Sequence, residues 1–150
     1  MNKEFVMRGQ TASGETEVLN FSGYKPGYAY RLVEFTLYPS TGIGTERGEL
    51  CGSITAGKTA VAPTDPNFDD EGLIGTTFLR IESQYTTEMA LAITSVNDTF
   101  LITQNLILMV QDTSSAAAPV NWQCRFILEK MNGPEEATAN YKQYTISDGS

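Results

Sequence analysis

From about Phe5 to Ile146 the chain never runs far without a turn residue. Short segments rich in Val, Ile, Thr, Phe and Tyr alternate with Gly, Pro, Asn and Asp. That punctuation suits strands, which need only about 4–8 residues, and starves helices, which need about 10–12. Extended segments are expected at 5–7, 17–21, 28–38, 49–56, 76–85, 88–96, 100–111, 121–130 and 141–146. Turns are expected at 9–14, 23–27, 39–48, 63–72, 97–98, 112–119 and 132–134. Helix formers at 88–93 (EMALAI) contest one strand, but Met89, Leu91 and Ile93 alternate with small or polar residues, so a strand is favoured. Residues 135–140 have room for one helical turn, with Pro134 at a permissive starting position.

About nine strands at regular spacing point to an all-β antiparallel β-sandwich, jelly-roll-like, with eight or nine strands. With 150 residues, no internal repeat and no linker, the sequence reads as one domain, 1–150.

The net charge of −8 and the lack of a Lys/Arg-rich arm before the first strand argue against direct contact with nucleic acid. Residues 1–8 carry no signal-peptide pattern. The longest apolar stretch, 106–110, falls far short of the roughly 20 residues that cross a bilayer, so no membrane partner is expected. Cys51 and Cys124 are read as buried thiols, with a disulfide as the alternative.

The strand faces carry the functional expectation. Segment 121–130 is one-sided, with Trp122, Cys124, Phe126 and Leu128 on one face. Segment 28–38 reads as apolar twice: Ala29, Val33, Phe35 and Leu37 on one face, and Tyr28, Tyr30, Leu32 and Tyr38 on the other. Segment 100–111 does the same, with Leu101, Ile107 and Met109 opposite Phe100, Ile102, Leu106, Leu108 and Val110. A two-layer sandwich buries one face of each strand, so a second apolar face needs a loop, a third layer or another subunit over it. Tyr28, Tyr30, Leu32, Tyr38, Leu101, Ile107 and Met109 are therefore the expected subunit interface.

No catalytic residue is assigned. Without histidine neither a Ser-His-Asp nor a Cys-His site can form. Residues 52–59 (GSITAGKT) match the P-loop expression, but Ile54 and Thr55 favour a strand, and Pro63 and Pro66 oppose the helix the motif requires. The acidic run 65–71 resembles a calcium loop poorly. Asp70 stands where an EF-hand needs glycine, and the twelfth position is Thr76. Neither metal nor cofactor is expected.

Four stretches taken together, VLNFSGYKPGY (18–28), AVAPTDPNF (60–68), NDTFLITQNLIL (97–108) and PVNWQCRF (119–126), resemble small virion structural proteins of environmental and marine viruses or phages. The resemblance implies a non-enzymatic shell or decoration (cement) subunit. It would be made in the host cytoplasm, localised to the virion, and contact other capsid subunits or copies of itself; on this chain the loops 39–48, 60–75 and 112–119 are the candidate contact arms. The alternative from a different class is a carbohydrate- or receptor-binding β-module, calcium-assisted through the acidic loop.

Overall fold

A computed structural model describes residues 3–21, 27–41, 48–57, 59–81, 91–114 and 117–149, without the side chains of 143–145 and 147–149. Eight antiparallel strands form two sheets: β1 (Lys3–Thr11), β2 (Thr16–Leu19), β3 (Tyr28–Pro39), β4 (Gly48–Thr55), β5 (Leu73–Ile81), β6 (Leu91–Val96), β7 (Leu106–Asp112) and β8 (Val120–Lys130). A helix, α1 (Gly133–Gly149), follows. One sheet has the order β1-β8-β3, the other β2-β7-β4-β5-β6. The chain is an all-β sandwich.

The order is that of a long hairpin rolled up: β1 lies beside β8, β2 beside β7, and β4 beside β5. In a regular jelly roll the sixth strand would pair with the third. Here β6 pairs with β5 instead, and the Thr94 hydroxyl reaches the β3 backbone at Phe35 O (3.3 Å). The Asn97 side chain closes the next turn by accepting from Thr99 N (3.3 Å) and Thr99 Oγ1 (2.7 Å). Ile102 then exchanges both backbone hydrogen bonds with Tyr30 (2.8 and 3.0 Å). The segment expected as one strand over 100–111 is thus divided into a bridge on the smaller sheet and β7 on the larger.

Between the sheets the core is continuous, with Leu32, Phe35, Ile54, Ile102, Leu106, Leu108, Val110, Cys124 and Phe126 fully buried. Rings of Phe5, Phe21, Tyr30 and Phe126 meet edge-on, tilted or stacked, with centroids 4.8–6.4 Å apart. Such pairs add to what area burial alone contributes. Trp122 is buried with its indole N–H donated to Thr11 Oγ1 (2.9 Å), so neither polar atom is left unpaired.

Two sequence expectations are corrected. The first concerns β3. The ladder pairs Leu32 with Phe126 and Glu34 with Arg125, leaving Val33 as the extra residue of a bulge. One extra residue exchanges the faces of everything beyond it. Tyr30 and Leu32 therefore share the inner face with Phe35 and Leu37, and Leu32 is fully buried in the core, not at a surface. The second concerns residues 141–146, which continue α1 and are not a strand. The cause lies at the helix start. Asn132 Oδ1 accepts from Glu135 N (2.8 Å) while Glu135 Oε1 accepts from Asn132 N (3.2 Å). This reciprocal cap, with two glutamates in the first turn, nucleates the helix. Its anchors are Ala139, which packs with Met131 on Ala29, and Ile146, which lies against Gly57 and Gly72.

The loop after β7 is organised by one side chain. Asp112 accepts from Ser114 N (2.9 Å), Ser114 Oγ (2.5 Å) and Ala118 N (3.0 Å). It holds Ala117 at φ +45°, where a Cβ costs roughly 1–2 kcal/mol. Ala117→Gly removes that cost at a smaller entropic penalty, so thermal denaturation should show Tm raised by about 1–3 °C.

Candidate functional site

The two outer sheet faces differ in kind. Along the three-stranded sheet the ladders place Glu4, Arg8, Arg31, Glu34, Arg125 and Glu129 outward. Arg31 pairs with Glu129 (2.6 Å), and Arg125 pairs with Glu34 and lies 3.9 Å from Glu4. Gln10 and Asn121 are hydrogen-bonded beside them (2.9 Å). Exposed pairs of this kind contribute little stability, but they solvate the face well.

On the five-stranded sheet, register puts Thr16 and Val18 of β2, Ile107, Met109 and Gln111 of β7, and Cys51, Ser53 and Thr55 of β4 outward. They are joined by Thr76 and Phe78 of β5 and Leu91, Ile93 and Ser95 of β6. Among the described strand residues, charge enters this face at one end, where Glu49 and Arg80 stand opposite each other. Val18, Leu91 and Ile93 are exposed by 62, 49 and 57%.

The middle of this face is covered by the chain itself. Ser53 Oγ donates to Val61 O (2.6 Å), and Val61 N donates to Thr55 Oγ1 (3.2 Å), so the 56–72 loop lies on β4. Ser53 and Thr55 are buried beneath it. Among the described residues, apolar strips remain on either side of it, one along β2 and β7 and the other along β5 and β6, with Val18, Leu91 and Ile93 exposed and Ile107, Met109 and Phe78 half-buried.

The residues expected to form one interface are dispersed. Ile107 and Met109 do face outward on the five-stranded sheet, half-buried. Tyr38 is exposed on the ion-paired face of the smaller sheet. Leu101 packs on the small cluster under α1, Tyr30 joins the core aromatics, and Leu32 is interior. Tyr28 is half-buried at the start of β3, paired with Lys130. Val18, Phe78, Leu91 and Ile93 were not among the expected set. For Leu91 and Ile93 the signal was the alternation in 91–96, which becomes an exposed face only once β6 is known to be an edge strand.

The rejected motifs take ordinary structural places. Gly52–Thr55 is the end of β4, and no helix follows it directly among the described residues; Lys58 lies outside them. In the acidic run, Asn67 Oδ1 accepts from Asp69 N and Asp70 Oδ1 from Gly72 N, both at 3.0 Å, closing tight local turns. Among the described residues no three His, Cys, Asp or Glu side chains are grouped so as to hold a metal ion. None of the described helical residues forms a helix long and apolar enough to cross a membrane.

Cys51 and Cys124 are both free and buried. Burial, reinforced by Glu49 and Asp112, pushes the Cys51 thiol up to about 11, and burial pushes Cys124 higher still. Thiolates are the reactive species, so both should resist a thiol-specific disulfide reagent at pH 8 until the chain is unfolded. In the unfolded chain these thiols ionise from near 9, whereas the native fold keeps them protonated. Stability should therefore decline as pH rises from about 9 towards 11, as denaturant titrations at stepped pH would show.

Comparison with known protein families and with curated proteins returns no match for this chain.

Proposed function

We propose that the chain is a non-enzymatic structural subunit of a virus particle, a shell or decoration component that joins its neighbours through the outer face of the five-stranded sheet. The observation that carries this reading is the contrast between the two outer faces. A sheet that meets water is expected to carry charge, as the three-stranded sheet does. An outer face bearing Val18, Ile107, Met109, Phe78, Ile93 and Leu91, whose described strand residues bring charge at one end, suits contact with protein. The rolled strand order agrees with it, since jelly rolls are frequent in virus shells, although fold alone does not establish function. The resemblance of segments 18–28, 60–68, 97–108 and 119–126 to virion proteins points the same way. Sugar binding would call for neighbouring exposed rings, but among the described residues the strongly exposed rings, Tyr38, Phe68 and Tyr141, lie on the smaller sheet, the loop after β4 and α1 respectively.

The test is to fractionate viral concentrates on a density gradient and follow peptides of this chain by mass spectrometry. They should peak with genome-containing particles. Recovery only from the soluble fractions would overturn the reading.

A further inference from the structure

Strand β1 is an open edge. It pairs with β8 on one side, and no described strand pairs with it on the other. Bonds elsewhere in the sheet fix where its backbone groups point. Tyr30 exchanges both backbone bonds with Ile102, on the side of β3 away from β8, and Met131 N donates to Gly27 O (2.8 Å). Bonding in an antiparallel ladder alternates residue by residue. Odd-numbered residues of β8 therefore bond to β3 here, and even-numbered ones bond to β1. Leu128, Phe126 and Cys124 take Lys3, Phe5 and Met7 as bonded partners. The N–H and C=O groups of Glu4, Val6, Arg8 and Gln10 consequently point off the edge, with no backbone bond among the described residues. Proteins guard such edges with short strands, prolines or bulges. β1 is nine residues long, regular in register and free of proline, whereas β2 has four residues and β3 carries the bulge and ends in Pro39.

The side chains beside that edge are self-complementary. Glu4 and Glu34 both lie at Arg125, two carboxylates about one guanidinium. Arg8 is exposed and makes no ion pair among the described residues. Between the surplus acid and the lone cation stands Val6, 49% exposed.

We infer that β1 pairs with β1 of a second copy, antiparallel about a twofold axis at Val6, joining two three-stranded sheets edge to edge. Val6 then faces its own copy, and Glu4 of each chain faces Arg8 of the other, as an isologous contact requires. All three pairs bring outward N–H and C=O groups together, so each exchanges two backbone bonds. On the inner side Phe5 falls opposite the partner's Met7. Other registers lose this match. An axis at Phe5 or Met7 sets Val6 against a charge, and an axis at Glu4 or Arg8 sets like charge on like. The contact is separate from the outer face of the five-stranded sheet and does not rest on the reading of that face.

An edge contact is smaller than the roughly 800 Å² per partner of a stable complex, so the dissociation constant should be on the order of 10–100 µM. Sedimentation of the full chain from about 5 to 500 µM at roughly 0.15 M salt should show a monomer–dimer equilibrium. Val6→Pro deletes the N–H at the axis and no bond to β8, so it should fold and raise the dissociation constant about tenfold or more. Arg8→Glu should raise it about tenfold, and adding Glu4→Arg should bring it back to within about threefold of wild type, because the charges are exchanged and not lost. Ile93→Lys, on the other sheet, should change nothing. Thermal melts check that each variant folds, and the charge exchange carries the test alone should Val6→Pro not fold. Amide exchange at Val6 and Arg8 should slow as concentration rises, while Phe5 and Met7, already bonded to β8, should not respond. A monomer throughout the range overturns the inference. So does a dimer that Arg8→Glu spares, or a loss that the charge exchange does not rescue. Neither result bears on particle association, so failure here is distinct from failure of the virion reading.

Discussion

Phe35→Ala should lower the free energy of unfolding by about 3–5 kcal/mol, enough to leave the chain partly unfolded at 37 °C if its stability is the usual 5–15 kcal/mol. Phe35 is fully buried on the inner face of β3 and reaches across the sandwich to two glycines of the opposite sheet. A Cβ on Gly52 would stand 2.9 Å from Phe35 Cζ, and one on Gly75 would stand 2.8 Å from Leu32 Cδ2 and 3.6 Å from Phe35 Cδ2. The ring occupies the space those missing side chains leave. Gly52→Ala alone should therefore destabilise by roughly 1–3 kcal/mol through overpacking. In the Phe35→Ala background the same substitution should cost little or be favourable, since the added methyl enters the cavity. A double-mutant cycle by chemical denaturation measures this coupling, and strictly additive effects would refute the packing account.

Asp112→Ala should be the most damaging single change near the surface, at about 2–4 kcal/mol. The carboxylate accepts three hydrogen bonds from the following loop, while the Asp112 backbone N–H donates to the Ser13 hydroxyl oxygen (2.9 Å). Removing it leaves Ser114 N and Ala118 N without this acceptor, and Ala117 in its left-handed conformation with the backbone bond to Ser114 O (3.2 Å) still in place. Asp112→Asn keeps one acceptor oxygen and should lose roughly half as much. Denaturant melts give the size of the effect, and amide exchange at Ser114 and Ala118 should accelerate in both variants. Unchanged exchange there would show that the loop is held by something other than this side chain.

Where a strand is regular, its residues declared their faces. In β8 the alternation of Trp122, Cys124, Phe126 and Leu128 with Gln123 and Arg125 is the alternation of inside and outside in the fold. In β3 the same reasoning failed beyond one point, because Val33 is an inserted residue and nothing in YRLVEF marks a bulge. Counting by twos from Phe35 assigned Leu32 outward, whereas the partner strand accommodates the insertion and brings both inside. The division of 100–111 was hidden for a related reason. Ile102 and Leu106 are both fully buried and even-numbered, so periodicity cannot reveal that they belong to different sheets. The helix at the C-terminal end was legible only in its first turn. Beyond Asn140, tyrosine, threonine and isoleucine suggest a strand, and what overrides them is propagation from a firmly capped start together with the seat of Ile146 on Gly57 and Gly72. The interaction surface was legible as a kind of surface but not as a place. Excess apolar strand faces were visible, yet which of them the chain covers itself depends on where the 56–72 loop lands, a tertiary fact.

The pairing of the first strand with the eighth sets a timetable for synthesis. Within its sheet β1 has β8 as its sole neighbour, and Gln10 meets its cross-strand partner Asn121 111 residues later. At ribosomal rates of about 5–20 residues per second, that separation is on the order of ten seconds of translation. Throughout it, β1 has no ladder partner, and Phe5 has the rings of Phe21 and Tyr30 to meet but not that of Phe126. The closing step must therefore be late and slow, governed by contacts remote in sequence, and the emerging N-terminal segment is the part of the nascent chain most in need of a holdase.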